Sequence, residues 1–463
     1  MRTPESKQLL RADMTEGNIS SHLLRFALPL LAGNLFQLLY SFVDAWVVGN
    51  YVSDVAFSAV GAVAPAIDLL INFFSGFASG AGAVISQYCG AKDERGIHDA
   101  AHTAAALALL LSLLLSGLGV AAVPGLLRLM RTPGDVYPEA FAYLTIYCAG
   151  MPGLLIYNMN AAILQATGDS RRPFRYLMIA TVCNIGLDFL LVLHFGLGVY
   201  GVAFATVAAQ LLAALLTIFA LLRTDQTVQL RLHELRLHRE PLGQILRVGL
   251  PAALQMAITA LSNVFVQSYI NQFGKYGMGG WAAFTRLDSF FFLPAKSFSV
   301  AAMTFVGQNF GGEKTERARR GVARAVALSL EMTLVLSAVF FVFAPQVIAF
   351  FNDTPQIVYH GVRLLRWNLP FYGFVCIYHV YAGAFRGSGR SRAAMVIMLF
   401  SFVLLRQLYL YVVSHWIANA LIPLSLSFPV GWISCAALLF AYDRLRPMDA
   451  AVLRQSRNAQ ICK

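Results

Sequence analysis

Apolar runs long enough to cross a lipid bilayer recur along nearly the whole chain. A helix needs about 20 consecutive apolar residues to cross ~30 Å of hydrocarbon. Of the 463 residues, 58% are hydrophobic and only 13% are charged, whereas soluble domains contain about 25% charged residues. A soluble protein of this composition would expose a large apolar surface to water. The chain is therefore predicted to be an all-α integral membrane protein.

Twelve such runs can be delimited, and each is predicted to form one transmembrane helix. Glycine and proline interrupt several of them, as is common in membrane helices, where small residues allow close packing. The predicted spans lie near 22–48, 56–86, 100–123, 139–166, 174–194, 198–222, 244–272, 280–309, 322–345, 360–385, 393–414 and 419–442.

The longest hydrophilic gap lies at the midpoint of the chain and divides the spans into two sets of six. Its stretch LRLHELRLH alternates apolar and polar residues, which is compatible with a segment that lies along the membrane surface. The predicted organisation is an N-terminal tail at 1–20, an N-lobe at 21–222, a linker at 223–243, a C-lobe at 244–443 and a C-terminal tail at 444–463.

The basic residues between the spans favour a cytoplasmic location for both termini. With the N-terminus inside, eighteen Lys and Arg residues fall in the predicted inner gaps or at their edges, against five in the outer gaps or at their edges. Such an excess is typical of cytoplasmic loops. The net charge of +12 thus reflects orientation in the membrane. Nucleic-acid binding is not expected, because no basic helix or aromatic-basic module accompanies the charge.

The two halves contain similar segments at a nearly constant offset. The matches pair LRFALP at 24–29 with LRVGLP at 246–251, QYCG at 87–90 with QNFG at 308–311, and ATGDSR at 166–171 with GSGRSR at 387–392, at offsets of 222 or 221 residues. Because six is an even number, both halves have the same orientation, so we expect two six-helix lobes related by a pseudo-twofold axis along the membrane normal. In transporters of this architecture the substrate binds between lobes that rock against each other. The repeat therefore favours a secondary transporter.

Four polar residues in the N-lobe spans are candidates for binding a coupling ion. A charge at the bilayer centre costs at least ~2.5 kcal/mol, so an intramembrane carboxylate is a functional candidate. Asp44 lies in span one, Asn184 and Asp188 share one face of span five, and Thr206 lies in span six. Two carboxylates, an amide and a hydroxyl can bind a proton or a small hard cation such as Na⁺. The alternative is that Asp44 lies hydrated near an outer helix end without a role.

Further polar residues are candidates for a substrate cavity. They are Gln37, Tyr40, Asp68, Asn72 and Asp288. Gln37 lies two turns and Tyr40 one turn before Asp44, on the same face of the predicted helix. For Asp68, a solvated carboxylate in the cavity wall without a specific function is an equal alternative.

The second half does not repeat the carboxylate pair. At the repeat offset, valine and tyrosine replace Asp44 and Asp188, and the spans contain Asp288, Lys296 and Arg406 instead. Asp288 and Lys296 are separated by roughly 12 Å of helix rise. Structural ion pairing and participation in transport are both open for these residues.

No enzyme signature is present in the sequence. It contains no P-loop, no dinucleotide-binding glycine motif, no zinc-protease motif and no nucleophile elbow. The protein is therefore not expected to be an enzyme or to need a cofactor. Transport without a nucleotide site must use an ion gradient or run downhill.

The order of short motifs resembles the multidrug and toxic compound extrusion (MATE) family over the whole chain. The first helix is similar at Pro29, Gln37, Tyr40, Asp44 and Val48-Gly49. The later matches are SGAGAVISQYCGAK, ATGDSRRP, NIGLD, GVYGVAFAT, RLDSFFFLP and TFVGQNFGG. Bacterial members with an N-lobe cation site use residues that match Asp44, Asn184, Asp188 and Thr206. The sequence departs from the family at Asp68, where an amide is usual, and at Thr259, where another branch has a carboxylate.

The resemblance implies a monomer in the cytoplasmic (inner) membrane, surrounded by membrane lipids. It also implies export of small amphipathic or cationic compounds by antiport with H⁺ or Na⁺. Two alternatives are a lipid-linked oligosaccharide flippase of the same superfamily and a channel or receptor. The flippase would need a more cationic cavity than Lys296 and Arg406 provide, and the channel would not explain a lobed repeat with carboxylates on one side.

Overall fold

The computed structural model describes residues 12–130 and 132–447, and every regular element within those ranges is a helix. The outer parts of the two predicted tails, residues 1–11 and 448–463, lie outside the described residues. Helices suit a membrane because they satisfy their backbone hydrogen bonds within one segment.

The first half contains seven α-helices within the described residues. They are α1 (Ile19–Tyr51), α2 (Asp54–Gly90), α3 (Glu94–Leu129), α4 (Tyr137–Ala149), α5 (Met151–Ala166), α6 (Arg171–Asp188) and α7 (Gly198–Leu222). A π-helical turn, Phe189–His194, continues α6, and a 3-10 turn, Leu232–Glu234, lies in the linker.

The second half is divided into more and shorter segments. The described helices are α8 (Arg239–Ile270), α9 (Gly274–Gly311), α10 (Thr315–Val342), α11 (Ala344–Phe351), α12 (Pro355–Asn368), α13 (Tyr372–Gly387), α14 (Ser391–Leu399), α15 (Arg406–Val412), α16 (Leu421–Ser425) and α17 (Ser427–Leu445). The shorter turns are 3-10 turns at Asn271–Phe273 and Leu369–Phe371 and π turns at Phe400–Leu405 and Val413–Ile417.

Each of the twelve predicted spans corresponds to one helix or to a run of consecutive helices. Within the described ranges, nine helical stretches are long and apolar enough to cross a membrane, and Arg239–Gly311 contains both α8 and α9. The pair α4 and α5 also qualifies as one span, bent by 43°. The bend lies at Gly150 and Pro152, where proline cannot continue the hydrogen-bond ladder.

The backbone repeats at the same offset as the sequence. Lys92 and Glu313 are the two non-glycine residues of the described chain with positive φ, at 56° and 57°. Each lies in the turn after a long helix, α2 or α9, and they are 221 residues apart. Gly168 and Gly389, with φ of 86° and 76°, repeat in the same way after α5 and α13. The sequence repeat is therefore also a repeat of local structure.

The chain forms two compact units. Unit 1 contains residues 12–13 and 28–253, and unit 2 contains residues 14–27 and 254–447 of the described chain. The main segment of unit 1, residues 28–253, begins and ends later than the predicted N-lobe at 21–222. The linker belongs to unit 1, where the His238 N–H donates to the Thr103 hydroxyl at 3.1 Å. Residues 14–27, which include the start of α1, belong to unit 2, where the Met14 N–H donates to the Gln308 side chain at 3.0 Å.

Glycines allow helices to pack closely within each unit. In unit 1, a Cβ added to Gly80 of α2 would lie 2.2 Å from the Cα of Gly249 in α8. In unit 2, a Cβ added to Gly383 of α13 would lie 2.1 Å from the Ser299 carbonyl oxygen of α9. Packing between membrane helices depends on such small residues because burial from lipid supplies little driving force.

Candidate cation-binding site

The last turns of α6 place an amide and a carboxylate inside unit 1. Asn184 and Asp188 lie on one face because they are four residues apart. Their exposed fractions are 1% and 0%. At Asp188 the α-helix gives way to the π turn Phe189–His194, a distortion often found at functional sites.

The neighbouring helix, α7, contributes a hydroxyl. Thr206 is 3% exposed and lies on the same face of α7 as Ala209 and Ala213. These two alanines form a buried cluster with Ala180 of α6. Because the residues between the helices are small, the helices pack closely, and Thr206 is held on the side of α7 that packs against α6.

Packing of α1 against α6 brings Asp44 to the second carboxylate. A Cβ added to Gly33 of α1 would lie 3.3 Å from the ring of Phe174 in α6, and the rings of Phe36 and Phe174 have centroids 6.4 Å apart. Further along both helices, the carboxyl groups of Asp44 and Asp188 lie close enough to interact directly with each other. Two residues 144 positions apart thus form one carboxylate pair.

Several buried polar atoms of this group have no hydrogen-bond partner among the described residues. They are Asp44 Oδ1, both carboxylate oxygens of Asp188, both amide atoms of Asn184 and the hydroxyl oxygen of Thr206. Buried polar groups are normally hydrogen-bonded, and ionised carboxylates can only accept. A proton between the carboxylates would supply the missing donor. Carboxylate, amide and hydroxyl oxygens are also ligands for a hard cation, so the donor set fits H⁺ and Na⁺ alike.

Two tyrosines, Tyr40 and Tyr143, interact with the carboxylate pair, and a third, Tyr147, lies beside them. Tyr40 of α1 interacts electrostatically with both carboxylates and with two tyrosines of α4, Tyr143 and Tyr147. The rings of these two are stacked, with centroids 6.5 Å apart. Sequence reasoning missed the α4 tyrosines, because an aromatic residue in an apolar span usually only packs.

The other predicted residues of the N-lobe are more peripheral. Asp68 of α2 is exposed and interacts electrostatically with Tyr147, whose hydroxyl accepts a hydrogen bond from Gln210 at 3.4 Å. The Asn72 amide donates to the backbone carbonyl of Asp68 at 2.7 Å. Gln37 is exposed on α1. Asp68 is thus connected with the carboxylate pair through two tyrosines, Tyr147 and Tyr40.

The predicted carboxylate of the second half lies in unit 2. The Tyr372 hydroxyl donates to Asp288, and Lys296 interacts with Asp288 electrostatically. Arg406 instead donates to the Ser262 hydroxyl at 2.8 Å. Asp288 therefore has Tyr372 as its donor and Lys296, rather than Arg406, as its nearby cation.

Solved structures with the same fold are transporters. The chain matches a MOP superfamily transporter from Pyrococcus furiosus with a TM-score of 0.91 at 23% identity, covering 96% of this chain and 99% of that one. It matches an outward-facing multidrug resistance MATE family transporter with a TM-score of 0.90 at 23% identity, covering 96% and 100%. This likeness confirms the predicted fold of twelve helices in two six-helix lobes.

The sequence comparisons identify the family. The probable multidrug resistance protein YpnP of Bacillus subtilis (strain 168) is 29% identical over 437 residues, which cover 94% of this chain and 98% of that protein. The MatE family model matches twice, at residues 29–190 and 251–412, so the two matches have the offset of the internal repeat. The chain is a multi-pass membrane transporter and not an enzyme. It belongs to the MatE family, which confirms the resemblance to the MATE transporters.

Proposed function

We propose that the protein is a secondary active multidrug exporter that exchanges its substrate for H⁺ or Na⁺ by alternating access. The carboxylate pair of Asp44 and Asp188 carries this proposal. The two groups face each other inside unit 1, and their oxygens Asp44 Oδ1, Asp188 Oδ1 and Asp188 Oδ2 have no donor among the described residues. Asn184 and Thr206 complete the proposed ion site.

Coupling requires that ion and substrate favour different states of the transporter, since a ligand that binds both states equally shifts nothing. Two facing carboxylates meet this requirement through their charge. Without an ion they repel each other, and a proton or Na⁺ relieves the repulsion and replaces the missing donor. Ion binding therefore changes the charge that lies next to Tyr40 and Tyr143.

The driving force is sufficient for multidrug export. Moving one charge through the membrane potential yields ~2.3 kcal/mol per 100 mV, and a tenfold concentration ratio costs ~1.4 kcal/mol. One proton at roughly 150 mV can thus sustain a gradient of a few hundred-fold for a neutral compound. No cofactor other than the coupling ion is needed.

The names of the relatives and the surroundings of the pair support a substrate class. The similar YpnP is named as a probable multidrug resistance protein. Tyr40, Tyr143 and Tyr147 supply aromatic faces beside carboxylates, and such faces attract cations. We therefore expect small amphipathic or cationic substrates, a monomer in the inner membrane, contact with lipids but not with nucleic acid, and both termini in the cytoplasm.

Drug uptake into everted membrane vesicles tests this function. A proton gradient and a sodium gradient are imposed separately, and accumulation of a fluorescent cationic drug is measured. One gradient is expected to drive uptake by the wild type. Asp188→Asn should reduce this uptake strongly, and Thr206→Val should reduce it less because only a neutral ligand is lost. Downhill equilibration with no response to either gradient would contradict antiport.

A further inference from the structure

A cluster of histidines and a glutamate lies away from the proposed ion site, at the start of α3 and in the linker. His98 and His102 lie one turn apart on α3, and Glu234 lies in the 3-10 turn of the linker. One ligand atom from each of the three lies within 4.8 Å of the other two. The transport mechanism uses none of these residues.

The two histidines present their rings to the same side. They are four residues apart and therefore share a helix face, the spacing of paired histidine ligands in helical zinc sites. Their ring centroids are 4.0 Å apart. His98 Nε2 lies 2.8 Å from the Glu234 carboxylate, so the linker already contacts α3 at this point.

Hydrogen bonds hold each ring in an orientation that suits a ligand. His102 Nδ1 lies 2.8 Å from the His98 carbonyl oxygen, which leaves Nε2 as the acceptor, and this atom receives the Arg231 N–H at 3.0 Å. His98 Nδ1 lies 3.4 Å from Asp99. Metal-binding histidines ordinarily donate their second nitrogen to a carbonyl or a carboxylate in this way.

The carboxylate is oriented as well. Arg231 donates to one oxygen of Glu234 at 3.0 Å, which leaves the other oxygen for His98. Glu234 keeps 30% of its side chain exposed. In a tetrahedral zinc site, bonds of ~2.0–2.1 Å place neighbouring ligand atoms about 3.3 Å apart. A small shift of the exposed linker turn is therefore enough to close the cluster around a metal.

We propose that His98, His102 and Glu234 form a binding site for a borderline divalent transition metal, of which Zn²⁺ is the type. Two imidazoles and one carboxylate are a known ligand set for zinc with a fourth, open position. His233 is 78% exposed and lies 3.3 Å from Glu234, so it is a candidate for that position. Binding would replace the hydrogen bonds of the cluster with metal–ligand bonds and fasten the linker to α3.

Titration with Co²⁺ tests this site, because four-coordinate Co²⁺ has a strong visible absorption that Zn²⁺ removes when it displaces the metal. The probe is the full-length protein in detergent after removal of any histidine tag. We expect one such site per chain, competed by Zn²⁺. Glu234→Gln should weaken binding at least about tenfold, and the double variant His98→Gln, His102→Gln should abolish it.

Two controls keep the result interpretable. Glutamine at position 102 retains an oxygen that can accept the Arg231 N–H, and size-exclusion chromatography shows whether each variant is folded. His415→Gln changes an exposed histidine elsewhere and should bind Co²⁺ as the wild type does. Absence of the four-coordinate spectrum in the wild type, or an unchanged affinity in folded Glu234→Gln and double-histidine variants, would overturn the proposal.

Discussion

At the scale of single residues, the two halves treat buried charge differently. In unit 1, Asp44 and Asp188 face each other without a donor in the described chain, whereas in unit 2 Asp288 receives the Tyr372 hydroxyl. The hydrogen bond from Tyr372 stabilises Asp288 without an added ion. The facing carboxylates of Asp44 and Asp188 instead depend on an added proton or cation. This contrast is why we place ion coupling in the first half.

Substitution of Arg406 tests whether its buried charge stabilises unit 2. Its side chain is 2% exposed, its guanidinium lies 5.2 Å from the ring centroid of Phe428, and it has no salt bridge in the described chain. Burying a charge that has no ionic partner costs free energy, and an apolar side chain of similar length avoids this cost. We expect Arg406→Met to melt at or above the wild-type temperature in detergent, and Arg406→Ala to melt lower because it leaves a cavity. Equal losses in both variants would show that the charge itself stabilises the fold.

At the scale of helices, hydropathy predicted where the spans lie but not their shape. The predicted span 22–48 is α1, Ile19–Tyr51, because a helix continues beyond the hydrocarbon while an apolar run does not. The predicted span 139–166 is bent by 43° between α4 and α5. Likewise, no pattern in the sequence indicated the π turn that begins after Asp188, since a π turn keeps the same apolar composition.

The proposed ion site was predictable only in part, because the sequence does not show which distant helices pack together. The i, i+4 spacing of Asn184 and Asp188 indicates a shared face, but no spacing rule joins Asp44 to a helix 144 residues away. The family resemblance supplied that connection, and its functional role stays a prediction. Tyr143 and Tyr147 were missed because their apolar span gives an aromatic residue no distinguishing signal.

The contact between α9 and α13 should depend on a glycine. A Cβ at Gly383 would lie 2.1 Å from the Ser299 carbonyl oxygen, which is backbone and cannot move aside. Overpacking of this kind costs about 1–3 kcal/mol, so Gly383→Ala should lower the melting temperature in detergent. Gly117→Ala is the matched control, because a Cβ there meets nothing within 4 Å. Melting of Gly383→Ala at the temperature of this control would show that the helices separate without cost.

At the scale of the whole molecule, the repeat is the organising feature. The family model matches both halves, and the positive φ angles of Lys92 and Glu313 repeat at the same offset. The polar residues do not follow this symmetry, since Asp44 and Asp188 have no carboxylate counterparts in the second half. A repeated scaffold with one set of carboxylates is consistent with an ion site in the first half alone.

The orientation in the membrane can be tested with single cysteines in a variant without its six native cysteines. Val55 lies in the first turn of α2 and Glu316 in the first turn of α10, and both are exposed. The excess of basic residues in the inner gaps predicts that Val55→Cys reacts with an impermeant maleimide in intact cells. Glu316→Cys should react only in everted vesicles. Reaction of both cysteines from the same side would contradict the twelve-span topology.

Gradient-driven drug accumulation by Asp44→Asn tests most directly whether ion coupling passes through the carboxylate pair. An amide mimics the protonated acid in shape, so we expect this variant to fold and melt nearly as the wild type does. It can no longer gain and lose a charge, and accumulation in everted vesicles should fall to the level of vesicles without the transporter. Asp353→Asn, an exposed change in unit 2, should retain wild-type uptake. Accumulation by Asp44→Asn at the wild-type rate would show that ion coupling does not pass through this carboxylate.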